Sequence, residues 1–180
     1  TYLDQISKIL DPARLSVVYN ATWLDALTSR QWIELCGKAT VAQIIEREDF
    51  ARRLEIKQPI GFHELMYPLL QGYDSVVLKA EIEFGGTDQT FNLMMGRHLQ
   101  EHYGQSPQII FTMPILEGTD GVQKMSKSYG NSIGLAESAD QAYGKLMSIS
   151  DDLMWRYAQL LLNIPDDVIA ENKKEVACGR

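Results

Sequence analysis

The sequence predicts an α/β fold in which parallel strands alternate with helices, followed by a helical appendage. The segments EIEF (81–84) and QIIFT (108–112) have the alternating or compact apolar character of strands, and a helical pattern lies between them. From about residue 139 onward the patterns are helical only. Because a strand–helix–strand order implies parallel strands in one sheet, we assign residues 1–138 to an α/β domain and residues 139–180 to a helical domain.

The elements before the first of these strands are mainly helical. Four segments have the apolar spacing that is typical of helices: 2–10, 22–36, 41–55 and 62–79. Pro59 and Gly61 separate the last two segments. The run VVY at 17–19 is apolar and rich in β-branched residues, and we expect a short strand there.

The second half of the chain continues the alternation and then becomes helical. A helix is predicted over 88–104, opened by Asp88 and closed by Gly104 as its C-terminal cap. The loop after the second strand contains Pro114 and the stretch KMSKS (124–128). We expect SIGL (132–135) to return briefly to the sheet. The tail contains three helical patterns: 142–149, 151–163 with Ser150 as N-cap, and 166–177 after Pro165.

The composition limits the classes of function. The 180 residues carry a formal net charge of −7, which argues against a protein that coats nucleic acid by charge alone. No apolar run approaches the roughly 18 residues of a membrane span, and the first residues do not resemble a secretion signal. We therefore predict a cytoplasmic protein without a membrane partner. The chain opens on Thr1 and ends Cys178-Gly179-Arg180, which suggests a piece of a longer protein.

Cysteines and histidines do not predict a metal site. Cys36 and Cys178 are far apart and form no Cys-x-x-Cys pattern, so both are expected to be reduced structural thiols. His98 and His102 are four residues apart, but neither these two nor His63 has acidic partners at metal-ligand spacing. The three tryptophans are interpreted as core or interface anchors: Trp23, Trp32 and Trp155.

The stretch GGTDQ (85–89) lies where the first strand ends and a helix begins. Open α/β sheets bind ligands at this position, and helix N-terminal amides there favour anions or polar oxygens. Asp88 is suited to accept hydrogen bonds from sugar hydroxyls, and Gln89 can donate to a carboxylate while accepting from an amine. The alternative is a tight turn followed by an aspartate helix cap.

A polar stripe follows one face of the helix over 62–79. Tyr67, Gln71 and Asp74 stand at i, i+4 and i+7, which places them on the same side of a helix. The rest of this helix is apolar nearly all round, so the stripe needs buried partners or a pocket to line. Pro68 removes one backbone donor without changing the stripe. The alternative is that the stripe faces solvent.

Lys124 and Lys127 lie in a loop that is rich in serine and flanked by glycines. Such loops are often simply solvated, which is one interpretation. The other is a mobile loop whose lysines close over a polyphosphate, because phosphoryl and nucleotidyl transfers need cations where negative charge develops. The flanking glycines would allow the loop to open and close.

Three stretches together resemble the tyrosyl-tRNA synthetases, which are class I aminoacyl-tRNA synthetases: YPLLQGYD (67–74), GGTDQTFN (85–92) and KMSKS (124–128). KMSKS alone marks class I synthetases in general. The patterns Tyr-x-x-x-Gln-x-x-Asp and Gly-Gly-x-Asp-Gln-x-x-Asn, in this order, are specific to tyrosine. The resemblance covers nearly the whole chain and implies a partial Rossmann-like nucleotide-binding domain.

The resemblance implies a tyrosine–tRNA ligase that activates tyrosine with ATP and transfers it to its tRNA. Tyr67 and Gln71 would hold the α-amino group of tyrosine, and Asp74 would accept a hydrogen bond from its phenolic hydroxyl. Gln89 would orient the carboxylate of tyrosine. An asparagine at position 92 argues against the tryptophan relatives, in which a histidine is expected.

The resemblance also implies an ATP site and partners. Gly86 and Asp88 would meet the ribose, and the catalytic Lys124 and Lys127 would balance the charge of the departing pyrophosphate. ATP would enter as a substrate with Mg²⁺, without a metal held by the protein. The whole enzyme would bind tRNA mainly through regions outside these residues and would form a homodimer with a contact near Phe62.

One departure from the family pattern is large. The His-x-Gly-His tetrapeptide of class I synthetases is absent, so the chain corresponds to the second half of a catalytic domain and the start of a helical domain, and is expected to be inactive alone. An open parallel sheet would also expose an unpaired edge and an apolar face. Two alternatives stay open: a synthetase for another aromatic amino acid, and a noncatalytic dimerisation or interaction module.

Overall fold

The computed structural model describes residues 2–162 and 164–178. Four residues lie outside the described ranges: Thr1, Asn163, Gly179 and Arg180. They include the last residue of the predicted helix 151–163 and the last two residues of the predicted helical domain. The chain divides into two compact units. One comprises Val17–Met113, and the other comprises the residues up to Ser16 together with those from Pro114 onward. This division by compactness does not follow the expected boundary at residue 138, and the domain assignment stays a prediction.

In chain order the helices and strands are α1 (Tyr2–Ile6), α2 (Ala21–Leu24), α3 (Ser29–Cys36), α4 (Val41–Ile45), α5 (Glu48–Glu55), α6 (Phe62–Leu78), β1 (Ile82–Gly86), α7 (Thr90–His102), β2 (Ile109–Met113), α8 (Ala139–Leu146), α9 (Asp151–Leu162) and α10 (Asp166–Ala177). Short 3₁₀ turns cover Pro12–Arg14, Thr87–Gln89 and Lys127–Tyr129. None of the helices within the described ranges is both long and apolar enough to cross a membrane.

The strands β1 and β2 pair in parallel, with α7 between them in the chain. Their register runs from Ile82 opposite Ile109 to Gly86 opposite Met113. The α/β fold with parallel strands is therefore confirmed. The first strand extends through both glycines, two residues further than predicted, because their backbones continue the ladder to β2. The aromatic rings of Phe84 and Phe111, both mostly exposed, lie 5.5 Å apart on this small sheet.

The core of the Val17–Met113 unit is centred on α6 and α7. Its buried apolar side chains come from five helices: Leu35, Ile44, Phe50, Leu69, Val76, Met95 and Leu99. Two glycines allow the helices to approach closely. A Cβ at Gly72 would lie 2.9 Å from Leu99 Cδ1, and a Cβ at Gly96 would lie 2.7 Å from both Ser75 Oγ and Gln108 Nε2. The two helices therefore pack closely at these positions because neither glycine carries a side chain.

The helix α6 runs through Pro68 without a break. Its first turn is secured by Glu64, whose Oε1 accepts from Gly61 N at 2.8 Å and whose carboxylate also binds the guanidinium of Arg53. Arg53 donates in addition to the carbonyl of Pro59. These contacts fix the loop before α6, so the helix begins at Phe62 rather than at the proline.

Several sequence-based predictions in the Val17–Met113 unit were wrong in detail. VVY (17–19) is irregular and exposed, because no strand of the described residues pairs with it. The predicted helix 22–36 is divided, since Thr28 caps α3 by accepting from Gln31 N at 3.3 Å. The predicted helix 41–55 is likewise divided, and α4 and α5 form separately. The side chain of Thr28 accepts from a backbone amide at the start of α3, which in a continuous helix would have donated to a backbone carbonyl.

The other unit contains the lysine-bearing loop and helices α8 to α10. Ser150 caps α9, as predicted, by accepting from Leu153 N at 3.3 Å. SIGL (132–135) is not a strand, which contradicts the prediction, and α1 ends at Ile6 rather than at residue 10. Tyr157 of α9 donates through its hydroxyl to Glu117 O at 2.6 Å. This bond anchors the start of the loop to a buried side chain of the helix.

Candidate functional site

Asp74 is held by two donors from the segment before α3. Trp23 Nε1 donates to its Oδ1 at 2.8 Å, and Asn20 Nδ2 donates to its Oδ2 at 3.2 Å. Four residues of this segment line one side of a cavity of about 280 Å³, whose lining is Val18, Tyr19, Asn20, Trp23, Asp74 and Leu78. A carboxylate has about four lone-pair positions, so two donors fix its orientation and leave acceptor capacity for a hydroxyl.

The buried Asn92 joins the polar stripe of α6 to the GGTDQ stretch. It is 4% exposed, and its Nδ2 donates to Gln71 Oε1 at 2.9 Å and to Gln89 Oε1 at 3.2 Å. Gln89 Nε2 in turn donates to Asp88 at 3.3 Å. The structure therefore brings together three predicted site residues, Gln71, Gln89 and Asp88, through Asn92. In the sequence analysis, Asn92 served only to distinguish tyrosine from tryptophan relatives. The Oδ1 atom of Asn92 is buried and has no hydrogen-bond partner.

The GGTDQ stretch makes a compact turn at the carboxyl end of β1. A Cβ at Gly85 would lie 3.1 Å from Leu93 Cδ1 and 3.2 Å from Gln89 Cβ, so a side chain here would require these neighbours to shift by a few tenths of an ångström. Helix α7 begins at Thr90, two residues later than predicted, because Thr87–Gln89 forms a 3₁₀ turn first. Gly86 is half-buried and Asp88 is exposed at this edge of the sheet.

A cavity of about 560 Å³ opens beside Tyr67 and is predominantly acidic. Its lining residues are Arg47, Glu48, Asp49, His63, Glu64, Tyr67, Asp88, Gln89 and Asn92. The guanidinium of Arg47 pairs with Asp49 at 2.5 Å and lowers the pKa of that carboxyl. The hydrogen bond from Arg53 lowers the pKa of Glu64 to about 2. These two carboxylates are therefore ionised at neutral pH and each is paired with an arginine, while Glu48 and Asp88 add two further carboxylates to the lining.

Tyr67, Gln71 and Asp74 do not form a uniformly buried stripe. Tyr67 is 56% exposed, while Gln71 and Asp74 are half-buried. The difference follows from their neighbours, since Asn92 covers Gln71 and the segment with Asn20 and Trp23 covers Asp74. Neither the solvent-facing alternative nor complete burial describes this face of α6.

Lys124 and Lys127 belong to the unit that starts at Pro114, and both side chains are exposed. Lys124 forms an antiparallel bridge with Glu117, and Lys127 opens a 3₁₀ turn that ends at Gly130, where φ is +66°. Lys127 Nζ lies 3.5 Å from Gln5 Oε1. The loop thus presents two cations from a backbone that has its own internal hydrogen bonds.

The three histidines do not share one site, although the rings of His98 and His102 lie 4.4 Å apart. His98 Nε2 lies 2.8 Å from Lys38 O, and His102 Nδ1 lies 2.9 Å from His98 O. His63 instead lines the acidic cavity. Within the part of the chain that the structure describes, no group of three or more His, Cys, Asp and Glu side chains could hold a metal ion.

The family model of the class I tRNA synthetases (W and Y) matches residues 1–178. The chain is 57% identical over 179 residues to the tyrosine–tRNA ligase of Methylococcus capsulatus, covering 99% of this chain and 45% of that protein. It is 58% identical over 180 residues to the tyrosine–tRNA ligase of Bordetella avium, covering 100% of this chain and 44% of that protein. The chain therefore spans less than half the length of these curated relatives.

Solved structures show the same fold. The tyrosyl-tRNA synthetase of Archaeoglobus fulgidus, complexed with L-tyrosine, matches with a TM-score of 0.68 and 23% identity, over 89% of this chain and 53% of that one. The tyrosyl-tRNA synthetase of Aeropyrum pernix matches with a TM-score of 0.60 and 23% identity, over 79% of this chain and 44% of that one. The motifs, the parallel strands and the family match agree, and the chain belongs to the tryptophan and tyrosine family of class I tRNA synthetases.

Proposed function

We propose that this chain supplies the tyrosine-binding and pyrophosphate-balancing residues of a tyrosine–tRNA ligase, acting within a complete protein. The observation that carries the proposal is the link through Asn92, which holds Gln71 and Gln89 together on neighbouring elements. The curated relatives at 57% and 58% identity, both tyrosine–tRNA ligases, support the same activity. A chain that retains this arrangement has kept the groups needed to hold an amino acid.

Tyrosine would be held at both of its ends. Asp74, oriented by Trp23 and Asn20, would accept from the phenolic hydroxyl. Tyr67 and Gln71 would bind the ammonium group, which the acidic cavity beside Tyr67 also favours. Gln89 would orient the carboxylate. Because Asn92 already donates to Gln71 and Gln89, the amides of both glutamines are fixed before tyrosine arrives, which lowers the entropic cost of binding.

The reaction would proceed in two transfers. A carboxylate oxygen of tyrosine attacks the α-phosphorus of ATP, the bond from that phosphorus to the bridging oxygen breaks, and pyrophosphate leaves. A hydroxyl of the tRNA then attacks the acyl carbon, and AMP leaves. Gly86 and Asp88 would bind the ribose, and Lys124 and Lys127 would balance the charge on the pyrophosphate. Mg²⁺ would enter bound to the phosphates of ATP.

The partners and location follow from the same proposal. The complete protein would bind tRNA largely through segments other than this chain, which fits a net charge of −7. It would act as a cytoplasmic homodimer. Phe62 is 74% exposed at the first position of α6, and burial against a second subunit would remove this large apolar side chain from water.

The test is amino-acid-dependent exchange between ATP and pyrophosphate, measured with each of the twenty amino acids on a full-length protein that carries this chain. Tyrosine alone should support exchange. A Lys127→Ala variant should lose about 3–4 kcal/mol of transition-state stabilisation, as expected for one preorganised charge donor. Exchange with another amino acid would contradict the assignment of Asp74. No exchange from a folded protein would favour the noncatalytic module instead.

A further inference from the structure

Asn131 is a buried side chain in a loop whose lysines are exposed. It is 4% exposed, and its amide spans both sides of Met125. Its Oδ1 accepts from Ser126 N at 2.8 Å, and its Nδ2 donates to Lys124 O at 3.2 Å. One side chain therefore satisfies the carbonyl that precedes Met125 and the amide that follows it, as a neighbouring strand would.

The loop is built so that Asn131 fits tightly. A Cβ at Gly118 would lie only 2.1 Å from Asn131 Nδ2, so this position must be a glycine for the amide to occupy its place. The backbone also joins the two limbs of the loop, since Thr119 N donates to Asn131 O at 2.9 Å. Met125 N donates to Leu116 O at 2.8 Å. A change in the side-chain amide of Asn131 would therefore alter the position of the backbone at Lys124.

Asp120 determines which way the amide of Asn131 points. Its Oδ2 accepts from Asn131 Nδ2 at 2.7 Å, and its Oδ1 accepts from Val122 N at 2.9 Å and Gln123 N at 3.0 Å. The hydrogen bonds from Val122 N–H, Asn131 and Gln123 N–H lower the pKa of Asp120. An ionised carboxylate can only accept, so the nitrogen of Asn131 must face it, and the oxygen then faces Ser126.

The lysines extend from this fixed backbone. Lys124 is held through its carbonyl by Asn131, and Ser126, held through its amide, caps the 3₁₀ turn of Lys127 by accepting from Ser128 N at 3.2 Å. Both amines remain at the surface while the peptide groups that carry them are constrained. A loop that must position two charges beside a transferring phosphate needs such a constraint, because a misplacement of about 1 Å can cost about 100-fold in rate.

We propose that Asn131, oriented by Asp120, is a positioning residue that holds the backbone of residues 124–126 so that Lys124 and Lys127 are directed at the departing pyrophosphate. This inference rests on the proposed tyrosine-activating function. Its consequence is that an amide three residues beyond KMSKS controls the chemical step without touching the substrate. A role in stability alone would instead leave the kinetics of the folded protein unchanged.

The test uses Asn131→Asp in a full-length protein that carries this chain. The substitution keeps the shape of the side chain. It replaces the amide nitrogen, which donates to Asp120 and to Lys124 O, with a carboxylate oxygen, which can only accept. Tyrosine-dependent exchange between ATP and pyrophosphate should show a kcat lowered by about 30- to 100-fold. The KM for tyrosine should stay within about twofold, because the predicted tyrosine-binding residues belong to the other compact unit. Asn172→Asp in α10 is the matched control and should change neither value.

A double variant that exchanges the side chains at positions 120 and 131 tests whether kcat can be restored. In Asp120→Asn with Asn131→Asp, the new amide can donate to the new carboxylate, which restores one of the two bonds that Asn131→Asp removes. The double variant should recover at least about threefold in kcat over Asn131→Asp alone. Asp120→Asn alone should lower kcat by about tenfold, since it no longer fixes the orientation of Asn131. If both variants that carry Asn131→Asp fail to fold, the kcat of Asp120→Asn alone tests the positioning role of Asn131.

The outcomes separate the two hypotheses. If the unchanged protein shows no tyrosine-dependent exchange, the proposed function is wrong. If it shows exchange that Lys127→Ala abolishes, but Asn131→Asp stays within about twofold of it in kcat, only the positioning role is overturned. A double variant no better than Asn131→Asp, or an unaffected Asp120→Asn variant, would also overturn it.

Discussion

The helix pair α6–α7 and the lysine loop fix polar groups in different ways. Asn92 of α7 orients Gln71 of α6 and Gln89 of the 3₁₀ turn before α7, and the two helices pack closely at glycines. In the loop, the side chains of Lys124 and Lys127 are exposed, and the backbone that carries them is constrained, chiefly by Asn131. The difference matches the tasks we propose for them. Recognition of an amino acid requires fixed side chains, whereas charge balance requires cations that can follow a leaving group.

Within the Val17–Met113 unit, the largest expected effect concerns recognition at Asp74. Asp74→Ala should lower kcat/KM for tyrosine by about 100-fold, because a hydrogen bond to a charged group is lost, and phenylalanine should change by less than about threefold. Sites that bond a hydroxyl can reject the analogue without it by about 10⁵, a value known for tyrosyl-tRNA synthetase itself. The measurement is exchange with both amino acids.

The control for Asp74 is Asp25→Ala, which removes an exposed carboxylate from the same compact unit. It should leave both amino acids unaffected. Equal losses for tyrosine and phenylalanine in Asp74→Ala would assign Asp74 to structure rather than to recognition. The contrast with the lysine loop would then lose its strongest support.

The next prediction tests whether α6 and α7 are packed more tightly than α8, which belongs to the other unit. Gly96→Ala places a methyl group 2.7 Å from Ser75 Oγ and Gln108 Nε2, and should destabilise α7 by about 1–3 kcal/mol. Gly144→Ala is the matched substitution in α8, where nothing lies within 4 Å. It should stabilise α8 by about 0.5–1 kcal/mol, since alanine favours a helix interior.

Amide hydrogen exchange, read separately in α7 and α8, measures both glycine variants. Faster exchange confined to α7 in Gly96→Ala and slower exchange in α8 in Gly144→Ala are the expected results. A Gly96→Ala variant with unchanged exchange in α7 would contradict the close helix contact.

The smallest effect is a pH dependence at the start of α6. Because the pKa of Glu64 is lowered from 4.5 to about 2 by the hydrogen bond from Arg53, its contribution to stability is complete above about 4.5 and is lost as the pH falls towards about 2. Glu64→Gln should therefore flatten the decline of stability in this window. Thermal unfolding between about pH 5 and pH 2 would measure it.

Glu101→Gln, at an exposed position of α7, is the control for Glu64→Gln. It should leave the decline with pH as steep as in the unchanged protein. If Glu64→Gln and Glu101→Gln behaved alike, the ion pair with Arg53 would not secure the beginning of α6.

Much of the candidate site could be predicted from the sequence, but not the contacts that hold it. The polar positions on α6 follow from helical spacing, and the turn after β1 follows from its paired glycines. Trp23 was interpreted only as a core or interface anchor, and in the structure it also donates to Asp74, 51 residues away. Residues 17–19 were predicted to be a strand because their composition permits one, yet they belong to an exposed, irregular segment. Composition does not reveal that a pairing partner is lacking.

The sequence by itself determined the parallel strand–helix–strand order, the long helix α6 and membership of the family, because each is carried by local periodicity or by short contiguous motifs. Only the tertiary structure decided which donors meet Asp74, that Asn92 joins two glutamines, and that Asn131 holds the lysine loop. The bonds to Asp74 and the bond from Asn92 to Gln71 join elements that are remote in the chain, whereas the bonds of Asn131 depend on how one loop folds back on itself. They are fixed by packing, to which a local sequence pattern contributes no information.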